Sequence, residues 1–265
     1  STFLLSYFLC SFYLHKILKL FGVSGWWAIL SSIFIAYFSP QFFRLLGHFS
    51  LGLVCFFPMV IYRIMQYERK QQVRYLLFLF IIVTLFTFLH LYYLVFALAL
   101  TAAYCFSYCI TNKAIFLKKI RYTSPLLLSV AVPVLILKIY LLLTDNIKDR
   151  PITPNGYRSA LATGQDILTS DYNFIGSNAF AWIFNGSSRW SEGYAYIGIV
   201  TISVLLHLAF CILRSLIQRI SKKEKRPSHS IRSYRVWIIT ALLLLLLSMG
   251  VPFIWGMDFL LDWFP

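Results

Sequence analysis

Apolar residues run along this chain in long blocks, separated by short clusters of basic residues. Only once, from Thr144 to Tyr194, does the chain leave this pattern for a long stretch. A helix needs about 20 apolar residues to cross roughly 30 Å of hydrocarbon. By that measure the pattern predicts eight spans: Ser1–Leu14, Trp26–Phe38, Leu51–Tyr62, Tyr75–Leu89, Leu91–Ile110, Pro125–Leu143, Tyr194–Leu213 and Val236–Trp255. The expected fold is an all-α membrane protein, a polytopic helical bundle of about eight transmembrane helices. It forms a single transmembrane domain over 1–265, with 144–194 as one long extracytoplasmic loop inserted in it.

Composition sharpens this picture. The chain is 60% hydrophobic and 12% charged, where soluble domains run at about 45–50% apolar and about 25% charged. A net charge of +15 would suggest nucleic acid in a soluble protein. Here the distribution of the charge says otherwise. Lys16 and Lys19 follow the first span, Arg63, Arg69, Lys70 and Arg74 the third, and Lys113, Lys118, Lys119 and Arg121 the fifth. Eight more, from Arg214 to Arg235, follow the seventh. Eighteen of the 24 basic residues thus fall on one side, and seven of the nine acids on the other. The positive-inside rule puts the basic side in the cytoplasm. Both ends of the chain and the 144–194 loop are then expected outside a bacterial plasma membrane, with lipids as partners and no nucleic acid. Oligomeric state has no signature in the sequence.

Little chemistry is expected in the cytoplasmic loops, which hold no glycine-rich phosphate cradle. The run at 221–230 reads as a solvated basic linker. All five cysteines lie in apolar spans; Cys105 and Cys109 share a helix face, and packing is the better reading of that pair. No ligand spacing supports a divalent metal, and no cofactor is expected.

The outer face offers more. SPQFFRLLGHFS reads as an interfacial amphipathic helix opened by Pro40, with Arg44 and His48 four apart on one face. Such a pair suits a phosphate, because the guanidinium forks onto the oxygens and the imidazole adds a hydrogen bond. A tight turn at His90, in TFLHLYYLVF, brings a second histidine to the same level. Lys138 lies inside the sixth span, and ionisable groups at membrane depth default to a functional hypothesis. In the long loop, Asp171 and Glu192 are the candidate acid or base, and Arg189, Trp190 and Tyr194 form a candidate platform for a sugar or headgroup.

The segments RLLGHFSLGLVCFFPMVIYRI and LFTFLHLYYLVFALAL, followed later by RWSEGYAYIGI, resemble multi-pass bacterial membrane glycosyltransferases of the C-type fold class. The resemblance covers Gln41 to Ile199. It implies transfer of a sugar from a polyprenyl-phosphate carrier to a glycan or lipid acceptor of the cell envelope, at the outer face. Arg44, His48, His90 and Lys138 would then be phosphate-side groups. The class carries its catalytic acid in the first outer loop, whereas this chain has no Asp or Glu before Glu68. The expectation is therefore a fragment lacking the N-terminal part. Two rivals stay open: a polysaccharide polymerase or ligase, and a non-enzymatic flippase or transporter for lipid or glycan. A flippase should line a cavity across the membrane with polar groups, whereas here the ionisable groups gather at one level near the outer face.

Overall fold

The structure, a computed structural model, describes residues 2–37, 39, 52–112, 114–145 and 230–248. Among these residues it is all-helical, with seven helices and no strand. They are α1 (Thr2–Leu20), α2 (Gly25–Tyr37), α3 (Phe56–Lys70), α4 (Val73–Leu89), α5 (Leu91–Thr111), α6 (Phe116–Thr144) and α7 (Ser230–Ser248). Of the described residues, 2–145 and 236–240 form one compact unit, while the flanks of α7 belong to a second. Helices α1, α5 and α6 are long and apolar enough to cross a membrane; α2, α4 and the Tyr234–Ser248 part of α7 are apolar but shorter. Their outward faces carry bare aliphatic side chains such as Leu4, Leu142 and Leu143, which are 70%, 75% and 80% exposed. Such surfaces belong in lipid, and the protein is membrane-associated.

Backbone chemistry explains where the helices stop. Helix α1 runs six residues past the expected Leu14 and ends in a Schellman motif. Gly22 takes a positive φ of 82°, its N–H donates to Lys19 O, and Val23 N–H reaches back to Leu18 O at 3.0 Å. Helix α3 starts five residues later than the apolar run suggests, with Pro58 in its first turn, where a missing N–H costs nothing. It continues to Lys70 because its second half is amphipathic. Its exit residue, Gln71, is left-handed at φ 49° and ψ 35°, and its N–H donates to Tyr67 O at 2.8 Å. Helix α6 begins nine residues before the expected Pro125, so Lys118, Lys119 and Arg121 are helical rather than loop residues. At 29 residues it is roughly 44 Å long, so its charged first turns have room beyond the hydrocarbon. Pro125 and Pro133 lie inside it and free the carbonyls of Arg121 and Ser129 from their usual helical donors; the Ser129 hydroxyl donates to Leu126 O at 2.7 Å.

Packing fixes the order of the bundle. Helix α2 presents a buried stripe of Ala28, Ser32 and Ala36, and small residues at this spacing let helix backbones approach closely. Tyr7 of α1 stacks on Tyr37 of α2 at 5.1 Å, so the two helices run antiparallel. Ser6 of α1 accepts from Cys55 N at the start of α3, and Tyr13 meets Tyr62 further along, so α1 and α3 run parallel. Phe56, Phe86 and Tyr93 knit α3, α4 and α5 with centroids 4.7–5.2 Å apart.

Candidate functional site

The two ends of the bundle differ in chemistry. One end gathers Lys16, Lys19, Arg63, Arg69, Lys70, Arg74, Lys118, Lys119 and Arg121. Three contacts tie their helices there. Arg69 Nη2 donates to Leu20 O at 2.6 Å, across the ends of α3 and α1. Lys119 Nζ donates to Cys109 O at 2.6 Å, closing the C-terminus of α5. Tyr67 of α3 stacks on Tyr122 of α6 at 5.3 Å. Cations beside helix C-termini also complement the dipole.

The opposite end carries His90 and Lys138. Helices α4 and α5 meet at the single extended residue His90, with φ −162° and ψ 130°. Its N–H closes α4 on Phe86 O at 3.0 Å, and its Nδ1 accepts from Tyr92 N at 3.3 Å as the N-cap of α5. Because Nδ1 is the acceptor, a neutral ring carries its proton on Nε2, as a donor. Phe88 of α4 meets Tyr140 of α6 edge-on at 5.4 Å, which brings the Lys138 turn to the level of His90. Lys138 is two residues from Tyr140, however, and residues so spaced point to different faces of a helix. Lys138 is exposed rather than turned into the α4 seam. The two residues therefore share an end of the bundle but not a face.

The remaining sequence-predicted residues, Arg44, His48, Asp171, Glu192, Arg189, Trp190 and Tyr194, lie outside the described residues. Among the described residues, no group of three or more His, Cys, Asp or Glu could hold a metal ion. Cys105 is buried, and its thiol lies 3.9 Å from Thr123 O.

Sequence reasoning missed Glu68, the first acid of the chain, which sits beside Arg69 and Lys70. It lies in the last turn of α3, where three other helices bring aromatic side chains to it. Tyr104 of α5 and Trp237 of α7 direct their polar hydrogens at its carboxylate. Trp237 Nε1 is buried and falls short of full hydrogen-bond geometry, so the Tyr104 contact is the stronger. Tyr104 and Tyr122 hydroxyls are 3.0 Å apart; with Tyr104 donating to Glu68, Tyr122 is the donor to Tyr104. The Tyr122 ring lies between Tyr67 and Tyr108, at 5.3 and 4.2 Å, and Trp237 packs on Tyr104 at 4.8 Å. Burial pushes the Glu68 carboxyl above the ordinary carboxylate value; the Tyr104 and Trp237 contacts and the neighbouring Arg69 only partly oppose it.

Over residues 1–263 the chain matches a family described as a domain of unknown function (DUF6311), and it belongs to that family. Neither a curated protein nor a solved structure matches it.

Proposed function

We propose that this chain is the membrane-embedded body of a transferase that takes a sugar from a polyprenyl-phosphate carrier and passes it to a glycan or lipid acceptor of the cell envelope. In this reading the chain crosses a bacterial plasma membrane eight times. The basic end is cytoplasmic, and the 144–194 loop is extracytoplasmic. The observation that carries the reading is the division of chemistry between the ends of the bundle: dense basic charge at one, and His90 and Lys138 at the other. A cation and an imidazole donor at the edge of an apolar bundle suit a phosphate whose lipid tail stays in the bilayer.

The chemistry is displacement at the anomeric carbon. A carboxylate, Asp171 or Glu192, takes the proton from the acceptor hydroxyl as its oxygen attacks. The bond from the anomeric carbon to the phosphate oxygen breaks, and the polyprenyl phosphate leaves with the electron pair. Arg44, His48 and His90 stabilise the charge that develops on it, and Lys138, on another face of the same end, adds its charge at longer range. Arg189, Trp190 and Tyr194 hold the sugar.

The test is transfer of a labelled sugar from a polyprenyl-phosphate donor by the full-length protein in lipid nanodiscs. Alanine variants at Arg44, His48, His90 and Lys138 are run alongside. Loss of turnover in these variants, with donor still bound by the parent protein, is expected. Normal turnover in all four refutes the site. Movement of the donor across a bilayer with no transfer refutes the enzyme and favours a flippase.

A further inference from the structure

We propose that Glu68 is a proton-operated latch: as the neutral acid it holds residues 236–240 of α7 against α3 and α5, and on losing its proton it releases them. The proposal is independent of the transferase reading and concerns the other end of the bundle.

The argument begins with what surrounds the carboxyl. An ionised carboxylate offers about four lone-pair sites and accepts only. Among the described residues two donors are directed at Glu68, Tyr104 and Trp237, and the second is imperfectly aligned. Beside Glu68 the Tyr122 ring is stacked between those of Tyr67 and Tyr108, so much of the carboxyl's surroundings is aromatic carbon. Among the described residues the cation acting on it is Arg69, next in sequence, but its guanidinium is directed at Leu20 O. The neutral acid needs far less solvation, so it is the form this packing suits.

The groups facing Glu68 can be taken helix by helix. Its own helix supplies Arg69 and Tyr67. Helix α5 supplies Tyr104, with Tyr108 and Cys105 acting through Tyr122 of α6. From the described side chains of α7 it meets the indole of Trp237, which does not titrate. At the start of α4, Arg74 donates to Tyr75 at 3.0 Å, and Lys70 acts on the same hydroxyl. Nearest to titration is thus Glu68 itself, and α7 is the helix it can let go. Helices α3, α5 and α6 are joined by the Tyr67, Tyr108 and Tyr122 stack whatever its charge. Residues 236–240 meet α5 through Trp237 on Tyr104 and α3 through Trp237 beside Glu68, with Val236 and Thr240 also buried.

Linkage gives the sign. The docked state binds the Glu68 proton more tightly than a released state open to water, so docking is favoured at low pH and weakens as pH rises. For one proton the change is at most about tenfold per pH unit.

The test is thiol labelling of Val236→Cys in nanodiscs, with or without Glu68→Gln, read by peptide mass spectrometry across acidic to mildly alkaline pH. Glu68→Gln mimics the neutral acid, so the ratio of the two rates cancels the thiol's own titration. The expected ratio is near one at low pH and climbs as pH rises. Adding Tyr104→Phe removes a donor to the carboxylate and should extend the climb to higher pH. Thr240→Cys, one turn on, repeats the measurement should Val236→Cys fail to fold. A ratio flat across pH overturns the latch, as does a Tyr104→Phe profile identical to the parent.

Discussion

Replacing His90 separates two roles that the proposed function assigns to one residue. As the N-cap of α5 it accepts from Tyr92 N at 3.3 Å. Removing an N-cap acceptor costs about 0.5–2 kcal/mol. The bond is at the long end of the usual range and His90 is half-buried, so about 0.5–1 kcal/mol is expected for His90→Ala. For a chain of this size that is roughly 1–4 °C in melting temperature. His90→Asn should behave differently. Asparagine is among the best N-caps, and the extended backbone here, φ −162° and ψ 130°, suits a cap position. The asparagine variant should melt close to the parent while losing the imidazole donor proposed to meet the phosphate. The assay pairs thermal unfolding in nanodiscs with sugar transfer. The expected pattern is Ala destabilised and inactive, Asn stable and inactive. An active, stable His90→Asn variant would show that His90 shapes the α4–α5 turn and does nothing for the substrate. An undiminished melting temperature in His90→Ala would remove the capping argument.

Other outcomes follow from single features of the bundle. Gln71→Gly should stabilise by about 1 kcal/mol, because a residue with a Cβ is held at φ 49°; an unchanged or lower melting temperature refutes this. Thr101 is fully buried and its hydroxyl has no hydrogen-bond partner among the described residues, so Thr101→Val should raise stability by up to about 1 kcal/mol in the same assay. Ser32→Leu places bulk in the buried α2 stripe and should cost about 1–3 kcal/mol, read as earlier melting together with easier proteolysis between α1 and α2. Glu68 has a carboxyl raised in the folded state. Its contribution is therefore fully present below the ordinary carboxylate value and is lost as pH rises through the raised one. Melting temperature should fall over that window in the parent and stay flatter in Glu68→Gln.

The sequence made the greasy segments and the basic end legible because both are one-dimensional signals. A run of Leu, Phe and Ile is apolar whichever helix it meets, and Lys19, Arg69 and Lys119 can be counted without knowing their neighbours. Boundaries were less legible, since they depend on backbone geometry. Gly22 and Pro58 were visible letters, but that one closes a Schellman motif and the other sits in a first turn is a matter of register. The α6 start shows the same limit: charge in the Lys118–Arg121 stretch read as loop, although a helix longer than the membrane can hold its charged turns in the headgroup layer. Glu68 is the sharper case. An acid flanked by Arg69 and Lys70 looks solvated, and nothing local to α3 says otherwise. What makes it unusual is Tyr104, Tyr122 and Trp237, residues from 36 to 169 positions further along the chain. The available hint was tyrosine at Tyr104 and Tyr108, four apart near the end of one span, with Tyr122 opening the next. Three hydroxyl-bearing rings at one membrane level ask for a polar partner, and the acid on the neighbouring helix end was the one to try.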